Sequence, residues 1–277
     1  MYGRENLMKK TLMLAFVLLL TLCFISSCGG SKDTLKVAME CNYAPFNWTQ
    51  SASSDRAVKI GTGGYADGYD VQMAKKIADG LGRKLEIVKI EWDGLVPALQ
   101  AGTADLIIAG MSPTAERALT IDFSEPYYES DLVIVVKKDG AFANAASIAD
   151  FSGAKITAQL NTFHYSVIDQ IAGVQKQTAM DNFSAMIVAL TSGTIDGYVS
   201  ERPGAKSAVA ANPDLAYIVF ADGSGFEASK EDVAIAVGLV KGSELTADIN
   251  KILADISNET RQTMMDEALA NQPLSEE

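Results

Sequence analysis

Within the stretch Asp105 to Arg117, which reads DLIIAGMSPTAER, three groups of complementary chemistry fall into one short loop. Gly110 offers a carbonyl, Ser112 a hydroxyl and Arg117 a guanidinium. The planar donor fork of an arginine matches both oxygens of a carboxylate. A carbonyl and a hydroxyl both accept from an ammonium. One loop could therefore hold the two charged ends of an α-amino acid.

The elements around the loop put it where ligands bind. Leu106 to Gly110 is an apolar run suited to a buried strand. Gly110, Ser112 and Pro113 break it, and Thr114 before Ala115-Glu116-Arg117 reads as the N-cap and first turn of a helix. The loop thus lies at the carboxyl end of a strand, the ligand-binding edge of open α/β sheets. Upstream, Thr34 to Glu40 reads as a first strand, residues 49–64 as a polar surface loop, and Asp70 as the cap of a helix with Val71, Ala74, Ile77, Ala78 and Leu81 on one face. Lys84 to Ile90 is a second strand and Asp93 caps a second helix. This βαβαβ order predicts a mainly parallel sheet with helices on both faces. A second alternation follows from Leu132, with strands at 155–159, 195–200 and 216–220 and helices at 162–171, 182–190 and 203–211. A strand over 233–240 and two helices close the chain.

The 277 residues are 48% hydrophobic, enough to bury the cores of two lobes. The formal charge is -12, which disfavours nucleic acid because phosphates would be repelled. Lys9 and Lys10 precede the apolar run Thr11 to Phe24, too short to span a bilayer comfortably, and small residues follow. This reads as a secretory leader, with Met8 opening the more usual n-region. Of three cysteines, Cys23 falls inside that leader. There is a single histidine, His164, so a histidine-based metal site or a Ser-His-Asp triad lacks its material. Gly61, Gly63 and Gly64 lack the lysine and the strand-turn-helix setting of a phosphate loop. Neither a metal nor a cofactor is expected.

Five pieces in this order carry a resemblance to known proteins. Ile25-Ser26-Ser27-Cys28 resembles the lipobox of bacterial lipoproteins, which implies a diacylglyceryl group on Cys28, removal of residues 1–27 and a tether over 28–33. Cys41 would then be the one mature thiol, without a disulfide partner. NYAPFNW at 42–48, GYDVQMAKKIADGLG at 68–82, WDGLVPALQAGTADLIIAGMSPTAER at 92–117 and IDFSEPYY at 121–128 resemble the family 3 extracellular solute-binding proteins, the amino-acid receptors of bacterial ABC importers. The resemblance implies a type II periplasmic-binding-protein fold: two α/β lobes, 34–131 with 233–277 and 132–232, closing on a ligand by hinge bending. It implies that Arg117 grips the ligand carboxylate with Asn161 and Thr162, the latter at a helix start. It implies that Gly110, Ser112 and Glu201 take the ammonium. Glu201 is one methylene longer than the aspartate usual there, and Leu160 stands where glycine is frequent.

For the ligand side chain, Glu40 occupies the position where relatives that bind basic amino acids carry an acid, and Tyr43 matches an aromatic lying along that side chain. Tyr69 and Trp92 are candidates for the opposite wall, since a cation between aromatic faces gains roughly 0.5 to 2 kcal/mol. Arginine or lysine is the expected ligand. The blander readings stand beside these: Glu40 as an exposed strand-end carboxylate, Tyr69 and Trp92 as packed core, Cys41 as a small buried residue, His164 as a solvated residue of its helix. The expected function is a non-catalytic, lipid-anchored, monomeric receptor outside the cytoplasm, serving a permease and ATPase on separate chains. The alternatives are a dehydratase-like periplasmic enzyme using Glu40 or Glu201, a signalling or adhesion module, and a receptor for a neutral polar amino acid such as glutamine.

Overall fold

The structure is a computed structural model that describes residues 33–61 and 63–273. The leader, the lipobox cysteine Cys28 and tether residues 29–32 lie outside the described residues.

Two five-stranded sheets carry the fold. The first runs Lys84–Lys89, Thr34–Met39, Leu106–Ile107, Gly238–Val240, Ile121–Phe123. The second runs Gln175–Lys176, Lys155–Thr157, Gly197–Glu201, Leu132–Lys137, Leu215–Ile218. Strands separated by a helix pair parallel: Val37 lies opposite Leu106 in the first sheet, and Ile156 opposite Gly197 in the second. The strands that bring the chain in from elsewhere pair antiparallel. Gly238–Val240 does so with both neighbours, and so does Leu132–Lys137. Each sheet is therefore mixed, where the βαβαβ rhythm alone suggests mainly parallel pairing. A parallel pair needs a crossover element to return the chain to the same edge, and these two strands arrive without one.

The chain passes from the first sheet to the second through Tyr128–Glu129 and returns through Ala234–Ile235. These two segments pair antiparallel with each other, Ala234 opposite Glu129 and Ile235 opposite Tyr128. The single strand expected at 233–240 is thus split between this ribbon and the first sheet. Along Leu132–Lys137 the faces alternate with a period of two. Val133 and Val135 join one apolar cluster, with Leu106, Ile77 and Tyr198, while Ile134 and Val136 join another, with Phe151, Ile156 and Ile168.

Residues 49–64 are not one loop. Asn42–Tyr43, Asn47–Gln50, Tyr65–Asp67 and Val58–Lys59 form a small antiparallel sheet in which Trp48 faces Asp67 and Thr49 faces Ala66. Its strands are two to four residues long, too short to leave a periodic signal. The helix Tyr69–Gly80 buries Val71, Ala74, Ile77 and Ala78 as its spacing predicts, but Gly68 is its N-cap. Asp70 sits inside the first turn, fully buried. Asp93 likewise belongs to a single 3-10 turn, Trp92–Gly94, and caps nothing. Thr114 does cap its helix, accepting from the Arg117 backbone N–H at 3.4 Å.

Candidate functional site

One parallel strand pair from each sheet ends at or beside one cavity; Glu40 is not in its wall and meets it through Gln159. Thr34–Met39 leads into Glu40, Leu106–Ile107 into Gly110 and Ser112, Lys155–Thr157 into Gln159 to Thr162, and Gly197–Glu201 ends on Glu201 itself. The cavity wall contains Tyr43, Trp92, Gly110, Ser112, Arg117, Thr162 and Glu201, all expected from the sequence, and adds Gln159, Phe163, His164 and Phe183.

Arg117 reaches across from the first-sheet side. Its Nη1 donates to the Ser112 carbonyl and its Nη2 to the Asn161 carbonyl, each at 2.9 Å. Its guanidinium carbon lies 5.1 Å from the centre of the Trp92 ring, so Trp92 is a platform for the arginine. Burial pulls the guanidinium down to about 10, against the charges of Glu116 and Glu201. No salt bridge to Arg117 occurs among the described residues. A cation with carbonyl partners only is one carboxylate short of compensation.

Asn161 contributes through its backbone. Its side chain is turned outward, donating to Asp93 Oδ1 at 2.9 Å, and its φ of 55° bends the chain toward Arg117. Thr162 starts the helix Phe163–Ser166 in extended conformation, and its hydroxyl donates to the Gln159 carbonyl at 2.7 Å.

Gly110 is held by a buried network. Asn47 donates to Asp70 Oδ2 at 2.8 Å, Tyr127 donates to Asp70 Oδ1 at 2.7 Å, and the Gly110 N–H donates to the Tyr127 hydroxyl at 3.4 Å. Burial pushes the Asp70 carboxyl up to about 7, with both side-chain hydrogen bonds opposing. Gly110 has φ +62°, and a Cβ there would stand 3.0 Å from Tyr43 Cε1. Gly110→Ala is expected to lose about 1 to 2 kcal/mol from the left-handed backbone alone, more from the contact with Tyr43. Chemical denaturation of the variant checks this; unchanged stability would mean the loop can adopt another conformation.

Tyr43 spans the cavity. Its hydroxyl donates to Glu201 Oε2 at 2.6 Å, and its ring stacks on Phe183 with centroids 4.1 Å apart. Glu201 Oε1 lies 3.4 Å from His164 Nε2. Glu40 is 2% exposed, so it is not a surface carboxylate. Its Oε2 accepts from Gln159 Nε2 at 3.4 Å, and its Oε1 has no partner among the described residues. Burial pushes the carboxyl up to about 7, with the Gln159 bond opposing.

Two expectations are corrected. Tyr69 is fully buried and donates to the Tyr127 carbonyl at 2.9 Å, so it is core and takes no part in the wall. His164 is buried beside Glu201 and is not solvated. Cys41 is the small buried residue of the bland reading, its thiol pushed up to about 12 by burial. Of the residues missed, Gln159 and Phe183 left no trace in sequence because their roles depend on partners 119 and more than a hundred positions away. His164 was legible only through its closeness to Thr162.

Among the described residues, no helix is long and apolar enough to cross a membrane. The profile of the bacterial extracellular solute-binding proteins, family 3, matches residues 35–269. A probable histidine-binding protein of Campylobacter jejuni is 30% identical over 218 residues, covering 74% of this chain and 79% of its own. The arginine-binding extracellular protein ArtP of Bacillus subtilis is 28% identical and covers 91% and 94%. In structure, an amino acid ABC transporter substrate-binding protein from Streptococcus pneumoniae, bound to L-arginine, superposes with a TM-score of 0.75 at 32% identity, covering 86% of this chain and 95% of its own. With its two mixed sheets and the cavity between them, the chain has the two-lobed type II periplasmic-binding-protein fold and belongs to family 3 of the bacterial extracellular solute-binding proteins.

Proposed function

We propose that the protein is the receptor of an amino-acid ABC importer, capturing a basic L-amino acid, arginine or lysine, and delivering it to a permease and ATPase on separate chains. The observation that carries the reading is Arg117, a partly buried guanidinium in the cavity wall with carbonyl partners and no carboxylate among the described residues. A ligand carboxylate completes it. The ligand ammonium goes to the Gly110 carbonyl, the Ser112 hydroxyl and Glu201, with the Thr162 helix start on the carboxylate side. In this reading the lobes are 34–131 with 233–277 and 132–232, and the ribbon of Tyr128–Glu129 with Ala234–Ile235 is the hinge. The protein acts as a monomer outside the cytoplasm, held to the membrane by a lipid on Cys28. Closure is favoured by ligand because Arg117, Ser112 and Gly110 lie on one lobe, and Thr162 and Glu201 on the other. The named ligands of the Bacillus and Streptococcus proteins support the basic side chain, and so does Glu40, a buried carboxylate with one oxygen unpartnered among the described residues.

A second reading keeps the receptor and changes the side chain. With its carboxyl at about 7, Glu40 is partly protonated near neutral pH and can donate to a neutral amide such as that of glutamine.

A melting-temperature screen of ligand-stripped protein against the L-amino acids tests the proposal. Ligand at about 100 times its Kd stabilises by about 2.7 kcal/mol, so arginine or lysine should raise the melting temperature by several degrees and aspartate should not. A shift with no amino acid would count against the receptor reading.

A further inference from the structure

Both carboxylate oxygens of Glu201 face side chains of this protein, one through a hydrogen bond and the other at ion-pair distance. Oε2 accepts from Tyr43 at 2.6 Å, and Oε1 faces His164 Nε2 at 3.4 Å. Glu201 is 3% exposed and His164 7%. The two stand on different elements, Glu201 at the end of Gly197–Glu201 and His164 in the first turn of Phe163–Ser166, and both line the cavity. The second ring nitrogen of His164, Nδ1, is buried and has no partner among the described residues. Of the two ring nitrogens, Nε2 is therefore the one that faces a carboxylate.

A glutamate carries one rotatable bond more than an aspartate, so its carboxylate needs more to hold its direction. Tyr43 supplies one support from the first-sheet side. We propose that His164 supplies the other: it is a positioning residue of the ammonium subsite, fixing the Glu201 carboxylate across the cavity from the Gly110 carbonyl and the Ser112 hydroxyl. The subsite so built selects ligands with a free α-ammonium over those whose α-nitrogen is acylated and uncharged. This rests on the amino-acid-receptor reading above and extends it to a residue outside the ligand's expected contacts.

The test compares L-arginine with Nα-acetyl-L-arginine, and L-glutamine with Nα-acetyl-L-glutamine, by titration calorimetry on wild type, His164→Leu, His164→Asn and His164→Gln. Glutamine can place its amide N–H near the position of Nε2; asparagine is too short to reach Glu201. Losing the polar partner that faces the Glu201 carboxylate should weaken binding of the free amino acid roughly ten-fold in the Leu and Asn variants. The acetylated ligand should change by less than about two-fold, since it makes no ammonium contact to lose. His164→Gln should restore most of the affinity and the discrimination. Two loss variants guard against one that fails to fold, with melting curves run on each. An unchanged ratio of free to acetylated ligand in both loss variants would overturn the proposal. So would parallel losses for both ligands without rescue by glutamine, which mark a merely structural histidine. If the wild type bound neither free amino acid, the receptor reading itself would fall, and that result is separable because it needs no variant.

Discussion

Arg117→Ala is expected to weaken amino-acid binding by at least about a hundred-fold, in line with the 3 to 5 kcal/mol lost when one member of a buried ion pair is removed. Two terms add. The ligand carboxylate loses a two-pronged, charge-assisted contact, and the carbonyls of Ser112 and Asn161 lose their donor across the cavity. Arg117→Lys keeps the charge and loses the fork, so its affinity should fall between the two. The fold should survive both changes, because Arg117 sits on the four-residue helix Ala115–Ala118 and makes its contacts in the cavity wall, outside the main cores. Titration calorimetry alongside far-UV circular dichroism separates the effects. An Arg117→Ala protein that is folded and binds with wild-type affinity would remove the carboxylate assignment.

Glu40→Gln is the second large effect, and it has opposite signs for stability and for binding. In the folded protein the Glu40 carboxyl is raised from 4.5 to about 7 by burial. Folding therefore takes up a proton between those values. The contribution of protonated Glu40 to stability is complete below about pH 4.5 and is lost as pH rises through about 7. At pH 8 the variant, neutral at every pH, should be more stable than wild type by about 1 to 3 kcal/mol; near pH 4 the two should converge. Denaturant titrations across this window check it, and a stability difference that does not vary with pH would contradict the buried, raised carboxyl. Binding goes the other way. A cationic side chain prefers ionised Glu40, so the affinity of wild type for arginine should rise by up to about ten-fold per pH unit toward pH 7 and level off above it. Glu40→Gln should abolish that slope and most of the preference for arginine over glutamine. A wild type that binds glutamine more tightly as pH falls would favour the neutral-amide reading.

The loop of Gly110, Ser112 and Arg117 was legible in sequence because its three groups lie close along the chain and their chemistry does not depend on distant partners. The same holds for the amphipathic helix Tyr69–Gly80 and the cap at Thr114. Asp70 and Asp93 stand immediately before or within helical patterns, which looks like capping from sequence alone. Their real partners, Tyr127 for one and Asn161 for the other, are 57 and 68 residues away. Tyr69 reads from sequence as either wall or core because aromatics serve both equally well, and only packing against Phe46, Tyr127 and Tyr128 decides between the two. The joining of Tyr43 to Phe183 and Glu201, and of Glu40 to Gln159, arises where the two sheets face each other, and no local pattern encodes it. The small sheet around Trp48 was hidden by strands too short to show a period.

The most direct test of the account is calorimetric titration of the chain beginning at Gly29, unfolded and refolded to remove carried-over ligand, against the twenty amino acids and ornithine. The account predicts one-to-one binding of L-arginine or L-lysine, absent in Arg117→Ala and stripped of its basic preference in Glu40→Gln. Binding of no amino acid, or equal binding by wild type and Arg117→Ala, would contradict it.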